Sequence, residues 1–295
     1  MPVLLMGLLF ALAASLAAAF TDVLRKRAFT GRELAAAAFW TRAAAALTLA
    51  AMLIYRFSTG RITHLRAGGA LFSPSPFHLD PLGTFAFYWA INAAILTCGL
   101  FLYFRALRDE PLSECVPMLA FTLVFAILVA GFFARLGIGR WNWLGAGAIV
   151  VGAFLLPRRS WKMLAAALLL GVSNLLDRQL ISMSDGYVTG FAMAVATCWS
   201  FFLAAIVRRE NLETALKDNK ESLALAGAGE GLALILLLSS YAMIAPRLAG
   251  GIERAGIGLA PMLGWVFFQE PGAKAKSIGA GIMAVGLLIL SLPLR

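Results

Sequence analysis

Only 3 of the 295 residues are cysteine, 2 are histidine, and charged side chains make up just 14%. Cys98, Cys115 and Cys198 fall in apolar stretches with no CxxC or metal spacing, which excludes a zinc or disulfide framework and leaves them as small packing residues. His64 and His78 lie in one polar connection, Arg56 to Pro81, so no imidazole reaches the apolar body of the chain. The scarcity of charge excludes an ordinary soluble domain, which is about 25% charged and 45 to 50% apolar. This chain is 61% hydrophobic, with a mean hydropathy of +0.85, and reads as a polytopic membrane protein. Its net charge of +10 comes from Lys and Arg in short connections between apolar spans, where they anchor helices and meet anionic lipid head groups. Membrane lipids are therefore expected partners, and nucleic acid is not.

A membrane helix needs about 20 apolar residues. On that ruler the chain carries ten spans, at about 3–25, 34–55, 83–104, 111–133, 141–156, 162–181, 187–207, 222–244, 249–268 and 277–293. The opening MPVLLMGLLFALAASLAAAF imitates a signal peptide, but it lacks a basic n-region and its apolar character continues to Leu24, so it reads as the first span.

The spans repeat. WLGAGAIVVGAFLL (Trp143 to Leu156) and SIGAGIMAVGLLIL (Ser277 to Leu290) share Gly145/Gly279, Gly147/Gly281 and Gly152/Gly286. TDVLRKRAF, from Thr21, sets against SNLLDRQLI, from Ser173, and VAGFFAR, from Val129, against GWVFFQE, from Gly264. The expected fold is an all-α integral membrane protein of ten transmembrane helices in a 5+5 inverted repeat, with halves 1–157 and 158–295. Five spans per half is an odd number, so the second half enters the membrane from the opposite side, and such architectures hold a binding site near the midplane. The glycine faces suit close helix packing.

These residues resemble the EamA-type branch of the drug/metabolite transporter superfamily. FFQEPGAKAKSIGAGIMAVGLLIL follows the family's half-repeat ending, with Glu270 in the acidic position. Lys26 and Arg42 match its basic residues at the end of the first helix and early in the second. The first half departs from the pattern, with Arg135 or Leu136 where the acid is expected, so Glu270 reads as a loop anchor. The resemblance implies a carrier of the bacterial inner membrane with both termini in the cytoplasm, whereas counting positive charges in the connections favours the reverse orientation.

Polar residues inside the spans carry the functional reading. Glu230 stands within LALAGAGEGLALILLLSSY, where an ionised carboxylate on a lone helix costs about 2.5 to 3.5 kcal/mol on insertion scales. Aligning the third span on the eighth places Asn92 opposite Glu230, with Tyr103 and Tyr241 eleven residues after each. That spacing returns to within about 20° of the same helix face, roughly 16 Å along the axis, so both stripes are expected at a central cavity. In the first and sixth spans Asp22 matches Asn174, and Asp177 follows one turn later. Asp22 is divided between the cavity and a local pair with Arg25 or Lys26, while Arg42 is a partner for Glu230, Asp22 or an anionic solute group. Glu114 and Glu253 read as acids suited to helix N-termini, and Trp40 and Trp89 as interfacial anchors or, alternatively, cavity walls.

The expected function is a secondary transporter, an exporter of a small metabolite, amino acid or drug-like solute, in which Glu230 binds either a coupling proton or a cationic portion of the solute. Its substrate-binding or coupling residues are Glu230, Asn92, Asp22, Asn174, Asp177, Arg42, Tyr103 and Tyr241. The alternatives are a lipid-carrier flippase or a passive uniporter. An integral membrane enzyme ranks below them, because no paired-Asp motif and no nucleophile with a base stand at useful spacing. No catalytic residue, metal or cofactor is expected, and the protein is read as a monomer or homodimer.

Overall fold

The computed structural model describes residues 2–29, 33–59, 81–134, 139–157 and 160–292. Most of the Arg56 to Pro81 connection with His64 and His78, the Arg135 and Leu136 turn, and Arg158 and Arg159 at the expected junction of the halves lie outside the described residues.

Regular structure among the described residues is helical. In order come α1 (Pro2–Ala28), α2 (Leu34–Ser58), α3 (Pro81–Asp109), α4 (Leu112–Cys115), a 3₁₀ turn (Val116–Ala120), α5 (Phe121–Ala134) and α6 (Arg140–Phe154). Then follow α7 (Trp161–Met183), α8 (Gly186–Val207), α9 (Leu212–Tyr241), α10 (Pro246–Ala255), a second 3₁₀ turn (Gly256–Leu259), α11 (Ala260–Phe268) and α12 (Ala273–Ser291). Eight stretches are long and apolar enough to cross a membrane, counting Leu112–Phe132 as one, and the chain is an integral membrane protein. Large apolar side chains such as Phe132, Trp161, Trp199 and Val207 point outward, as lipid-facing residues do.

The count of ten spans meets two exceptions. The fifth expected span is the 15-residue α6, and the ninth is divided into α10, a 3₁₀ turn and α11. The fourth is broken in the same manner at Val116–Ala120. Each break contains or adjoins a proline, Pro117 or Pro261, whose missing N–H and ring clash interrupt the α-helical ladder. The eighth extends backwards to Leu212, with non-helical backbone at Asn219 separating an amphipathic lead from the apolar span.

Local caps set the helix starts. Ser160 accepts from the Met163 N–H at 2.9 Å, Asp185 from Tyr187 at 2.8 Å, and Asn211 from Glu213 at 2.9 Å. Helix α4 is capped from a distance. The Glu270 carboxylate accepts from the Leu112 and Ser113 N–H groups at 2.7 and 2.9 Å, which fulfils its reading as an anchor.

Packing follows the small residues. A Cβ at Gly145 would meet the Gly286 carbonyl at 2.8 Å, and one at Gly152 the Gly279 carbonyl at 2.6 Å, so α6 and α12 cross backbone to backbone. Gly147 and Gly281, expected on the same faces, meet open space instead. Helix α9 lies between α1 and α2. A Cβ at Gly231 would reach Thr48 Cβ at 2.7 Å, and one at Gly227 would collide with the Thr41 carbonyl.

The two ends of the bundle are tied differently. At the end where α1 and α3 finish, Lys26 donates to the Leu107 and Glu110 carbonyls, and Lys162 meets Asp109 at 2.6 Å. There too the Ala36 N–H donates to Glu210 at 2.9 Å, the Trp40 indole to the Leu212 carbonyl at 2.9 Å, and Lys276 pairs with Glu114 at 2.9 Å. At the opposite end Arg56 faces Asp185 at 3.5 Å and lies over the Tyr187 ring, while Arg247 donates to Asn142 at 2.7 Å.

Candidate functional site

Glu230 is the hub of the central polar network. Its flanking glycines let α1 and α2 close on α9, and that approach delivers two guanidiniums to one carboxylate. Arg25 from α1 lies 2.6 Å from Glu230 Oε2, and Arg42 from α2 holds Oε1. Arg42 also donates through Nε to Thr197 Oγ1 of α8 at 2.8 Å. Arg25 continues the network to Asp22 at 3.2 Å and to the Tyr103 hydroxyl at 3.3 Å, and that hydroxyl donates to Asp22. The Arg25 guanidinium also stands 5.6 Å from the centroids of the Tyr103 and Phe104 rings, within cation–π range.

Two acids and two guanidiniums therefore balance in formal charge, each hydrogen-bonded or paired across helices. This satisfies the condition under which charges persist away from water. Four expected residues, Glu230, Asp22, Arg42 and Tyr103, are brought together here. Arg25 and Thr197 are additions. Arg25 stands three residues after Asp22, a spacing that accounts for it locally and conceals its reach to α9. The signal that could have exposed it is charge balance, because Glu230 and Asp22 need two cations rather than one.

The other four expected residues lie elsewhere. Asn92 does not face Glu230: fully buried, it donates to Asp177 Oδ1 of α7 at 2.6 Å. Helix α3 packs against α7 rather than alongside α9, which places the two polar stripes in different helix pairs. Asn174, one turn before Asp177, has a buried Nδ2 without a hydrogen-bond partner among the described residues, as do Ser173 Oγ and Asn92 Oδ1. Tyr241 packs among Leu237, Ile244 and Ile252, its hydroxyl close to Gly250, where a Cβ would lie 3.4 Å away. Trp40 and Trp89 are partly buried: the Trp40 indole donates to the Leu212 carbonyl, and Trp89 packs around Met193 and Leu180.

A cavity of about 310 Å³ runs beside the network, between α1, α3, α4, α7, α9 and α10. Asp22, Arg25, Tyr103 and Glu230 form its polar wall, and Leu100, Leu119, Leu170 and Leu234 contribute apolar surface. Glu253 and Arg254 complete the lining. Helix α10 ends at Ala255, so Glu253 occupies a last turn and cannot serve the N-terminal role its sequence position implied.

No family model matches the chain. Over 69 residues it is 44% identical to a protein of Aeromonas hydrophila named probable 4-amino-4-deoxy-L-arabinose-phosphoundecaprenol flippase subunit ArnE, covering 23% of this chain and 60% of that one. The protein of the same name from Aeromonas salmonicida is 41% identical over 69 residues, with the same shares. The one from Yersinia pseudotuberculosis is 38% identical over 72 residues, covering 24% of this chain and 60% of the relative. The chain thus spans about 60% of the length of the curated relatives it matches. A solved crystal structure 18% identical in sequence covers 94% of this chain and 96% of its own, with a TM-score of 0.56, which establishes a shared fold alone. By partial sequence similarity, the chain's relatives are proteins named for transport across a membrane.

Proposed function

We propose that this protein is a secondary transporter of the EamA type that moves a compact solute by alternating access to the cavity beside Glu230. The observation that carries the reading is a charge-balanced, interhelical network, Asp22–Arg25–Glu230–Arg42, of which Asp22, Arg25 and Glu230 line a cavity inside a membrane bundle. A volume of about 310 Å³ stands at the small end of the 300–1,000 Å³ range typical of small-molecule sites, and so favours a small metabolite, an amino acid or a head group.

Packing supports an inverted repeat of two five-helix halves. Helix α1 packs on α9 as α7 packs on α3, and α1 contacts the broken ninth span (α10 to α11) as α7 contacts the broken fourth (its 3₁₀ turn and α5). Helices α2 and α8 pair across the halves, as do α6 and α12. Exchanging the halves maps each pair onto its counterpart, and the Gly145–Gly286 contact onto Gly279–Gly152. Rocking one half against the other would exchange the ties at the two ends and loosen the arginines around Glu230. In that step Glu230 takes up the proton that couples transport to a gradient.

The test is a solute screen in proteoliposomes with an imposed pH gradient, comparing wild type with Glu230→Gln. Gradient-driven accumulation should be lost in the variant. A substrate accumulated equally by both proteins rejects Glu230 as the coupling acid. The second reading, a flippase for a lipid-linked solute, is favoured by the names of the relatives and is separated by assaying translocation of a lipid-linked amino sugar in the same vesicles.

A further inference from the structure

We infer that Glu253 and Arg254 form a recognition site for a zwitterionic solute, Glu253 receiving its ammonium group and Arg254 its carboxylate or phosphate. The inference deepens the carrier reading and rests on it. Both side chains line the cavity, and neither makes a hydrogen bond or an ion pair with any described residue. Their charges are not consumed by the central network, where Asp22, Arg25, Glu230 and Arg42 pair with one another.

Structural explanations for the pair fail in turn. Adjacent residues on a helix point about 100° apart, and although Arg254 is near enough to act electrostatically on Glu253, no hydrogen bond or ion pair joins them. Glu253 in the last turn of α10 stands where the helix dipole disfavours an acid. The equivalent acid beside the other helix break, Glu114, is neutralised by Lys276 at 2.9 Å, whereas Glu253 has no such lysine. A carboxylate and a guanidinium left open beside Leu237 and Ile257, in a cavity of about 310 Å³, are costly to retain unless something else completes them.

The surroundings extend the site. Gly250 precedes Glu253 and Arg254 by three and four residues, hence on the same face of α10, and the Tyr241 hydroxyl stands against it without a hydrogen-bond partner among the described residues. Tyr241 therefore stands beside the helix that carries the pair, outside the lining of the cavity. The apolar lining takes the uncharged part of the solute.

The experiment measures binding to the purified full chain in lipid nanodiscs, without flux, by calorimetry. The probes are L-phenylalanine and phosphoethanolamine as zwitterions with different anionic groups, and phenethylamine and phenylacetate as single-charge controls. At least one zwitterion should bind roughly tenfold or more tightly than either control, and the better of the two identifies the anion. Glu253→Gln should reduce that affinity to the level of phenylacetate, and Arg254→Gln to that of phenethylamine, with the thermal midpoint of each variant confirming a folded protein. Failure of both zwitterions to bind, affinity equal to the controls, or insensitivity to both substitutions in folded protein overturns the inference. Binding without transport in vesicles would overturn the carrier reading alone, and transport without zwitterion preference the inference alone.

Discussion

Glu230 is held inside the bundle between Arg25 and Arg42, and the three helices they occupy are joined by that sharing. Removing one member of a buried ion pair strands the others, at a cost of about 3–5 kcal/mol. Glu230→Gln should therefore destabilise the protein by about that amount in reversible unfolding in bicelles. Adding Arg42→Gln should recover part of the loss, because it withdraws one of the two stranded guanidiniums. Additive losses in the double variant would show that the pair is not coupled. Four members of this network are legible in the sequence, since an acid, an arginine and a phenol inside apolar spans must be explained. Asn92 shows where that logic ends: the repeat gives its equivalent position, but which helix it faces is a tertiary fact, and α7 supplies Asp177.

Helices here are positioned by what their glycines permit. Gly145 and Gly147 stand two residues apart on α6, yet only Gly145 presses on a neighbouring backbone. Gly145→Ala should cost about 1–3 kcal/mol by forcing α12 away, the usual penalty for overpacking. Gly147→Ala should be neutral or stabilise by up to about 1 kcal/mol, since alanine favours helix and meets nothing. Equal effects of the two in the same unfolding assay would contradict the backbone crossing. Gly227→Ala applies the same test to the site, because it displaces α2 and so weakens the hold of Arg42 on Glu230 without touching either charge. Span length and hydropathy make the long elements legible. The breaks at Val116–Ala120 and Gly256–Leu259 are marked by Pro117, Gly256 and Pro261, signals that averaging over twenty residues conceals.

At the scale of the molecule, the two ends of the bundle differ in how firmly they are held. The end bearing Lys26, Asp109, Lys162 and Glu270 is tied by interactions that join helices of both sequence halves, including Asp109 to Lys162 at 2.6 Å and Glu270 to the start of α4. In the proposed alternating-access cycle that end must open, so a covalent tie there should stop the proposed transport while leaving the present cavity intact. Asp109→Cys with Lys162→Cys, in a background lacking Cys98, Cys115 and Cys198, can be bridged by a short bis-maleimide. Bridged protein should lose at least about 90% of its flux yet bind its solute within roughly twofold of the unbridged form, because binding needs one state and turnover needs both. Flux that survives complete bridging would mean that this end stays shut throughout the cycle and that solute passes by another route.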